Sequence, residues 1–227
     1  MNFDFTGKTV FITGGSRGIG KVICEEFSRV NATVICPSRD EMNLQDADSV
    51  EKYLNHYGNN EPDILIFCAA INPKNNIEDI SIQDVQDSYQ VSVISSIQII
   101  QKFIESMKNK QKGQIIFISS LYAIVAKEGR ISYATSKNAI TGLTKTLALE
   151  LAPYSICVNA VAPGYVLTDM THKNLTEDEI IKIKNDIPTG RFQEPEEIAN
   201  FVMFLCSEYN QSITGQLISI DGGFLCK

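Results

Sequence analysis

Residues 8–20 read KTVFITGGSRGIG, a short apolar run that ends in a turn carrying Gly14, Gly15, Gly18 and Gly20. Past the turn, Ile19, Val22, Ile23 and Phe27 recur at helical spacing as far as Val30. The stretch therefore reads as buried strand, glycine turn, helix. Backbone amides at the start of such a helix can approach a pyrophosphate, which makes Gly14, Ser16, Arg17, Gly18, Ile19 and Gly20 candidate dinucleotide contacts. The spacing departs from GxGxxG, and a glycine-rich turn can also be no more than a tight connection.

Working outward, further apolar runs at 32–36, 63–69, 114–119, 156–161 and 217–220 read as buried strands. Helical patterns lie between them at 47–57, 82–110, 132–151, 177–185 and 195–207, the last with Pro195 in its first turn. Strand and helix alternate without a repeat or linker. The fold class is α/β, a Rossmann-type doubly wound, mostly parallel sheet flanked by helices on both faces. Residues 1–227 form a single domain whose ligands bind beyond the carboxyl ends of the strands. A chain of 227 residues with 44% hydrophobic and 21% charged residues can bury one such core.

A formal net charge of −7 repels phosphate backbones, which excludes nucleic acid as a partner. No apolar stretch reaches membrane-spanning length, and no basic segment precedes an apolar run at Met1-Asn2-Phe3-Asp4-Phe5. A cytoplasmic protein with no membrane partner is expected. Cys24, Cys36, Cys68, Cys157, Cys206 and Cys226 form no CxxC pair, and His56 and His172 lie far apart, so neither a bound metal nor a disulfide framework is expected.

In the middle of the chain, Tyr133 and Lys137 stand one helical turn apart on one face, in the segment Tyr133-Ala134-Thr135-Ser136-Lys137. Ser120 ends the run IIFISS, thirteen residues before Tyr133, and Pro163-Gly164-Tyr165-Val166-Leu167-Thr168 and ITGQLISIDGG follow in order. Together with the turn at 13–20, these segments resemble the TGxxxGxG, serine, YxxxK and PGxxxT motifs of the short-chain dehydrogenase/reductase family, over almost the entire chain. The resemblance implies an oxidoreductase that moves a hydride between a nicotinamide and a carbonyl or alcohol carbon. It makes Ser120, Tyr133 and Lys137 the catalytic group. It adds Asn43, Leu44, Cys68, Ala69, Ala70, Pro163, Gly164, Val166 and Thr168 to the cofactor contacts, with Tyr133 and Lys137 also reaching the nicotinamide ribose. A phenol with a pKa of about 10 is a poor proton carrier at neutral pH, and the expectation is that the Lys137 cation, together with the positive nicotinamide of an oxidised cofactor, lowers it towards working pH.

The second strand ends in Ser38 and Arg39, where a dinucleotide's adenosine ribose would lie. A hydroxyl and a guanidinium suit a 2′-phosphate, and Arg17 adds a second cation, so NADP(H) is expected rather than NAD(H). Asp40 is the competing acid. Three features depart from the family's pattern. Ser92 stands where the family has an asparagine that supports a proton relay, and is carried as a catalytic position. Residues 67–70 read FCAA in place of NNAG. Only Asp40-Glu41-Met42 separates the second strand from Asn43-Leu44, so the usual intervening helix is missing.

That short crossover resembles reductases acting on nucleotide-linked keto-sugars in polysaccharide synthesis, while the central motifs resemble oxoacyl reductases. A small-molecule carbonyl or alcohol substrate is expected under a lid at 167–190. A carrier-protein substrate is disfavoured by the acidic charge and by Tyr154, which stands where one arginine would be expected. The resemblance also implies a homotetramer or homodimer. The alternatives are a catalytically weakened dinucleotide sensor or partner subunit, and a dehydratase or epimerase that retains its cofactor.

Overall fold

The computed structural model describes residues 3–58, 61–168, 171 and 176–226. Apolar β-prone runs form six strands: β1 Thr9–Thr13, β2 Thr33–Ile35, β3 Ile64–Phe67, β4 Gly113–Ile118, β5 Ile156–Pro163 and β6 Leu217–Ile220. They pair in the order β2-β1-β3-β4-β5-β6, every neighbouring pair parallel, so the sheet is wholly rather than mostly parallel. The chain reverses its direction of travel between β1 and β3, which opens the crevice where doubly wound sheets hold ligands. Relative to the 3-2-1-4-5-6 order of dinucleotide folds, the strand outside β2 is absent. The short crossover leaves no chain to build it.

Helices α1 Gly18–Arg29, α2 Ala47–His56, α3 Ile82–Tyr89, α4 Ser95–Lys110, α5 Ile131–Leu151, α6 Glu177–Asp186 and α7 Pro195–Cys206 complete the described fold. Alternation along β1 sends Phe11 to one face and Val10 and Ile12 to the other. On the first face Phe11 packs with Val50 and Leu54 of α2, Ile99 and Phe103 of α4, and Ile140 of α5. On the second, Val10 and Ile12 meet Ile23 and Phe27 of α1 and Ile198 and Val202 of α7. The sheet is thus buried on both sides, which explains the unbroken apolar character of its central strands.

The helical pattern over 82–110 resolves into α3 and α4 joined by a π-helical segment, Gln90–Ile94, with Ser92 at its centre. Such a bulge widens one turn and re-aims the side chains around it. The carbonyls of Val91 and Ser92 accept from the hydroxyls of Ser95 and Ser96 at 2.8 and 2.9 Å. Apolar periodicity alone cannot register this interruption.

Phe11 is fully buried, with Tyr57 and Phe103 rings at 5.8 and 5.5 Å. Phe11→Ala should lower unfolding free energy by about 3–5 kcal/mol, read as a shift in the urea midpoint at unchanged slope. A loss below about 1 kcal/mol would mean that this layer does not hold α2 and α4 on the sheet.

Candidate active site

A cavity of about 330 Å³ opens at the carboxyl ends of β1, β3, β4 and β5. Its floor is the turn after β1. Gly14 has φ +76°, and a Cβ there would lie 2.6 Å from the Ala69 nitrogen; one on Gly20 would lie 2.3 Å from the Gly14 carbonyl oxygen. Only bare backbone lets α1 start this close to the strand ends. Helices α2, α3 and α6 carry side-chain caps from Asp46, Ser81 and Thr176, whereas α1 has none and no acid in its first turn. Its first amides are left for an anion, and the dipole favours one. The cradle fits a pyrophosphate. Behind it, Cys24 and Cys36 pack together; a hydrogen bond from Cys24, with a further one from the Gly15 N–H, brings the Cys36 thiol down to about 7.

At the end near β2, Ser38, Arg39, Asn43 and Leu44 line the same cavity, with Arg17 across from them on the glycine turn. The missing helix is reduced to one capped turn. The Ser38 N–H donates to Glu41 Oε2 at 2.8 Å, the Glu41 N–H donates to Ser38 Oγ at 3.3 Å, and the Met42 N–H donates to the Ser38 carbonyl at 2.9 Å. These bonds hold the Glu41 carboxyl below its ordinary range. Glu41 was not among the residues singled out in the sequence, although Ser38-Arg39-Asp40-Glu41 has the S-x-x-E form of a reciprocal cap. Arg39 Nη2 donates to Gln45 Oε1 at 2.5 Å, and Gln45 Nε2 to Asp87 Oδ2 at 2.9 Å, which steadies the guanidinium at the cavity edge.

The opposite end holds Ser120, Tyr133 and Lys137. Lys137 is 3% exposed, and its Nζ donates to the Ile118 carbonyl at 2.7 Å, tying α5 to the end of β4. Burial brings its pKa down to about 8. One turn earlier on α5, the Tyr133 ring lies 5.6 Å from Lys137 Nζ. Burial raises the Tyr133 phenol above its ordinary value, against a hydrogen bond with Ser120 and the charge of Arg130, which lower it. The expected lowering was for Lys137 acting together with an oxidised nicotinamide beside the phenol; in the protein alone burial dominates. Arg130 supplies the cationic influence here, and burial outweighs it. Ser120 Oγ also accepts from the Tyr122 N–H at 3.2 Å. Beyond Tyr133, Tyr122 and Tyr165 pair their hydroxyls at 3.1 Å, and Tyr165 stacks on Phe192.

Pro163, Gly164, Val166 and Thr168 form one wall, fixed where the Gly164 N–H donates to the Ile220 carbonyl at 2.8 Å. Cys68, Ala69 and Ala70 form another, and Ser16, Gly18 and Ile19 complete the floor. Ser92 is not brought to the cavity wall; its neighbour Val91 is, and Ser92 Oγ is buried with no hydrogen-bond partner among the described residues. Ile71, Gln45, Ser119 and Thr171 also line the cavity without having been singled out. Ile71, Gln45 and Thr171 follow recognised motifs by one to three residues, Ser119 immediately precedes Ser120, and none carries a signal of its own. In the expected lid, Glu177–Asp186 forms α6 behind a Thr176–Glu179 capping box, while 169–170 and 172–175 lie outside the described residues. Among those described, no cluster of His, Cys, Asp or Glu is arranged to hold a metal, and no helix is long and apolar enough to cross a membrane.

A parallel sheet with this cradle and a Tyr–Lys pair at its far end defines a nucleotide-binding oxidoreductase site. A profile of the family described as Enoyl-(Acyl carrier protein) reductase matches residues 41–225. The 3-oxoacyl-[acyl-carrier-protein] reductase FabG of Aquifex aeolicus is 35% identical over 247 residues, covering 98% of this chain and 99% of its own. That of Escherichia coli is 33% identical over 245 residues, covering 98% of each. Among solved structures, a short-chain type dehydrogenase/reductase from Mycobacterium marinum superposes with a TM-score of 0.90 at 28% identity, covering 100% of this chain and 98% of that one. A Beutenbergia cavernae protein, provisionally described as an NAD(P)-dependent gluconate 5-dehydrogenase and holding NADP at low occupancy, gives 0.90 at 26% identity with both chains fully covered. The chain belongs to the short-chain dehydrogenase/reductase family, and is an oxidoreductase acting on keto and hydroxyl groups.

Gly14→Ala would force a Cβ into the Ala69 backbone at a left-handed φ. NADPH affinity, measured by fluorescence titration, should fall about tenfold or more while the far-ultraviolet circular dichroism stays native. Unchanged affinity would remove the turn after β1 from the dinucleotide site.

Proposed function

We propose that this chain is an NADP(H)-dependent reductase of a small-molecule carbonyl compound. The observation that carries the reading is one continuous cavity with the Ser38–Arg39–Arg17 group at one end and Ser120, Tyr133 and Lys137 at the other. The pyrophosphate would lie on the amides that open α1, Arg39 and Arg17 would face a 2′-phosphate, and Lys137 would meet the nicotinamide ribose. When bound, the nicotinamide supplies the hydride.

The chain's own groups supply the rest. Ser120 Oγ donates a hydrogen bond to the substrate oxygen and fixes it against Tyr133. Tyr133, whose raised pKa keeps it protonated, delivers the proton from its hydroxyl as negative charge develops on that oxygen. Lys137, cationic below about pH 8, offsets the phenolate that remains. Ile118, Val91 and Val166 give the cavity an apolar stretch of wall.

For the substrate, the curated relatives favour an oxoacyl compound, whereas the one-turn crossover at 38–42 favours a nucleotide-linked keto-sugar. The lid at 167–190, with α6 at its centre, would cover either. A cytoplasmic homo-oligomer is the assembly this reading carries with it. The sensor and the cofactor-retaining dehydratase or epimerase are separated from a reductase by net turnover of NADPH.

NADPH oxidation should be followed at 340 nm over oxoacyl thioesters, nucleotide-linked keto-sugars and free oxo acids. Tyr133→Phe should lose about 10²–10⁴-fold in kcat with NADPH affinity unchanged. Retention of more than a tenth of wild-type turnover would remove Tyr133 as the acid. Arg39→Ala should weaken NADPH far more than NADH, and equal weakening would contradict 2′-phosphate recognition.

The pH profile follows from Lys137. Its folded pKa of about 8 means the ammonium is present below that pH and lost above it, while Tyr133 stays protonated throughout. Reductive kcat/KM should therefore fall as pH rises through about 8. A profile flat to pH 9.5 would show that the Lys137 charge does not assist the proton transfer.

A further inference from the structure

Arg130, the residue that opens α5, is a charged side chain buried to 8% exposure for which the mechanism above has no use. Its Nη1 donates to the carbonyl oxygen of Asn72 at 3.0 Å and to Asn72 Oδ1 at 2.9 Å. Among the described residues no carboxylate lies within 4.0 Å of it. Both hydrogens of Nη1 are thus taken by neutral oxygens, while Nε and Nη2 make no hydrogen bond to the described residues. The edge left over is the side-on fork that matches two carboxylate oxygens. A guanidinium withdrawn from water and paired only with amide oxygens lacks a counter-charge, which a ligand can bring.

Its position says which ligand. Arg130, Tyr133 and Lys137 fall at i, i+3 and i+7, on one face of the helix. Its charge acts on the phenols of both Tyr133 and Tyr122. Asn72 belongs to the loop that leaves β3 through Ala69, Ala70 and Ile71, all on the cavity wall. That loop is clamped to the segment before α5 where the Asn75 N–H donates to the Gly129 carbonyl at 3.1 Å. The guanidinium therefore lies between the loop after β3 and the segment before α5, held in orientation by Asn72 and adjoining the cavity wall at Ile71 without itself lining it. Lys74 on the same loop and Lys127 just before Arg130 are exposed, and neither forms an ion pair among the described residues. Both lysines act on the Glu179 carboxylate of α6, which leaves Arg130 as the cation of this region without an acidic partner among the described residues.

We propose that Arg130 is a substrate-specificity residue that binds a carboxylate carried by the substrate beside its reacting carbonyl, so that the substrate class is an oxo acid. This rests on the reductase reading above. The hydride and proton transfers are unchanged by it: the carboxylate enters and leaves ionised, and Arg130 keeps its proton. A neutral ketone, an oxoacyl thioester or a carboxylate ester would leave the fork unpaired, and that penalty separates them from the acid.

The test uses the full chain with NADPH and matched compounds: 2-, 3- and 5-oxohexanoate, their methyl esters, and a keto phosphate of similar length. Wild type should favour at least one oxo acid over its ester by about a hundredfold in kcat/KM. Arg130→Gln should collapse that ratio by lowering the acid far more than the ester, Arg130→Lys should retain part of it, and both should bind NADPH within threefold of wild type. Calorimetry of the same acids against the NADP⁺-saturated protein reads the site without turnover, with about a tenfold or greater loss expected in Arg130→Gln. An acid-to-ester ratio near one in wild type, a ratio unmoved in Arg130→Gln, preference for the phosphate, or no calorimetric binding of any acid would each overturn the assignment. Absence of NADPH turnover for every compound, with acid binding still dependent on Arg130, would instead count against the reductase reading and leave this one standing.

Discussion

The 2.7 Å hydrogen bond from Lys137 Nζ to the Ile118 carbonyl is the constraint around which the reacting end is built. A lysine 3% exposed cannot keep its charge without such a partner, and the partner is the last carbonyl of the central strand β4. The bond fixes the rotation of α5 about its own axis. Tyr133 is thereby set one turn earlier on the face that looks along β4, and Ser120, two residues beyond Ile118, is brought against it. Strand end, serine, tyrosine and lysine are one geometric unit. The same burial that locates the lysine also lowers its pKa, so the positioning and the titration have a single cause.

The other end depends on backbone closeness rather than charge. Because Gly20 lets α1 approach the Gly14 carbonyl, the helix begins where β1 stops and its uncapped amides face the cavity. The truncated crossover then determines what stands beside the adenosine position. Without a helix there, the chain closes with a single turn whose Glu41 carboxylate sits on the Ser38 amide, two residues from the exposed Arg39, and Arg39 and Arg17 both line the cavity. The charge at this edge is set by two guanidinium groups and one carboxylate.

What could be read from the sequence was whatever depends on spacing along one element. The six described strands, the glycine turn and the shared helix face of Tyr133 and Lys137 are of that kind, because strands and helix faces place residues by period, whereas Ser120 was picked out by the family resemblance. Arg130 illustrates what could not be read. It lies three residues before Tyr133, but its hydrogen bonds go to Asn72, 58 positions away, and among the described residues it has no acidic partner. The same holds for Ser92. Nothing in its neighbours' polarity distinguishes a π turn from an α turn, and that turn leaves Val91 rather than Ser92 on the cavity wall. The raised Tyr133 phenol of the protein alone was not legible for a related reason. Proximity to a lysine is visible in sequence, whereas the extent of desolvation is a property of the packed site.

The central claim is that Tyr133, set by Lys137 and Ser120, completes a hydride transfer from NADPH to a substrate carbonyl. Its most direct measurement is a single turnover with NADPH deuterated at both C4 positions, analysed by mass spectrometry of the product. The account predicts deuterium on the carbinol carbon in the wild-type reaction, with NADP⁺ formed one-for-one, and no labelled alcohol from Tyr133→Phe on the same timescale. Label that stays on the cofactor while product forms would contradict it.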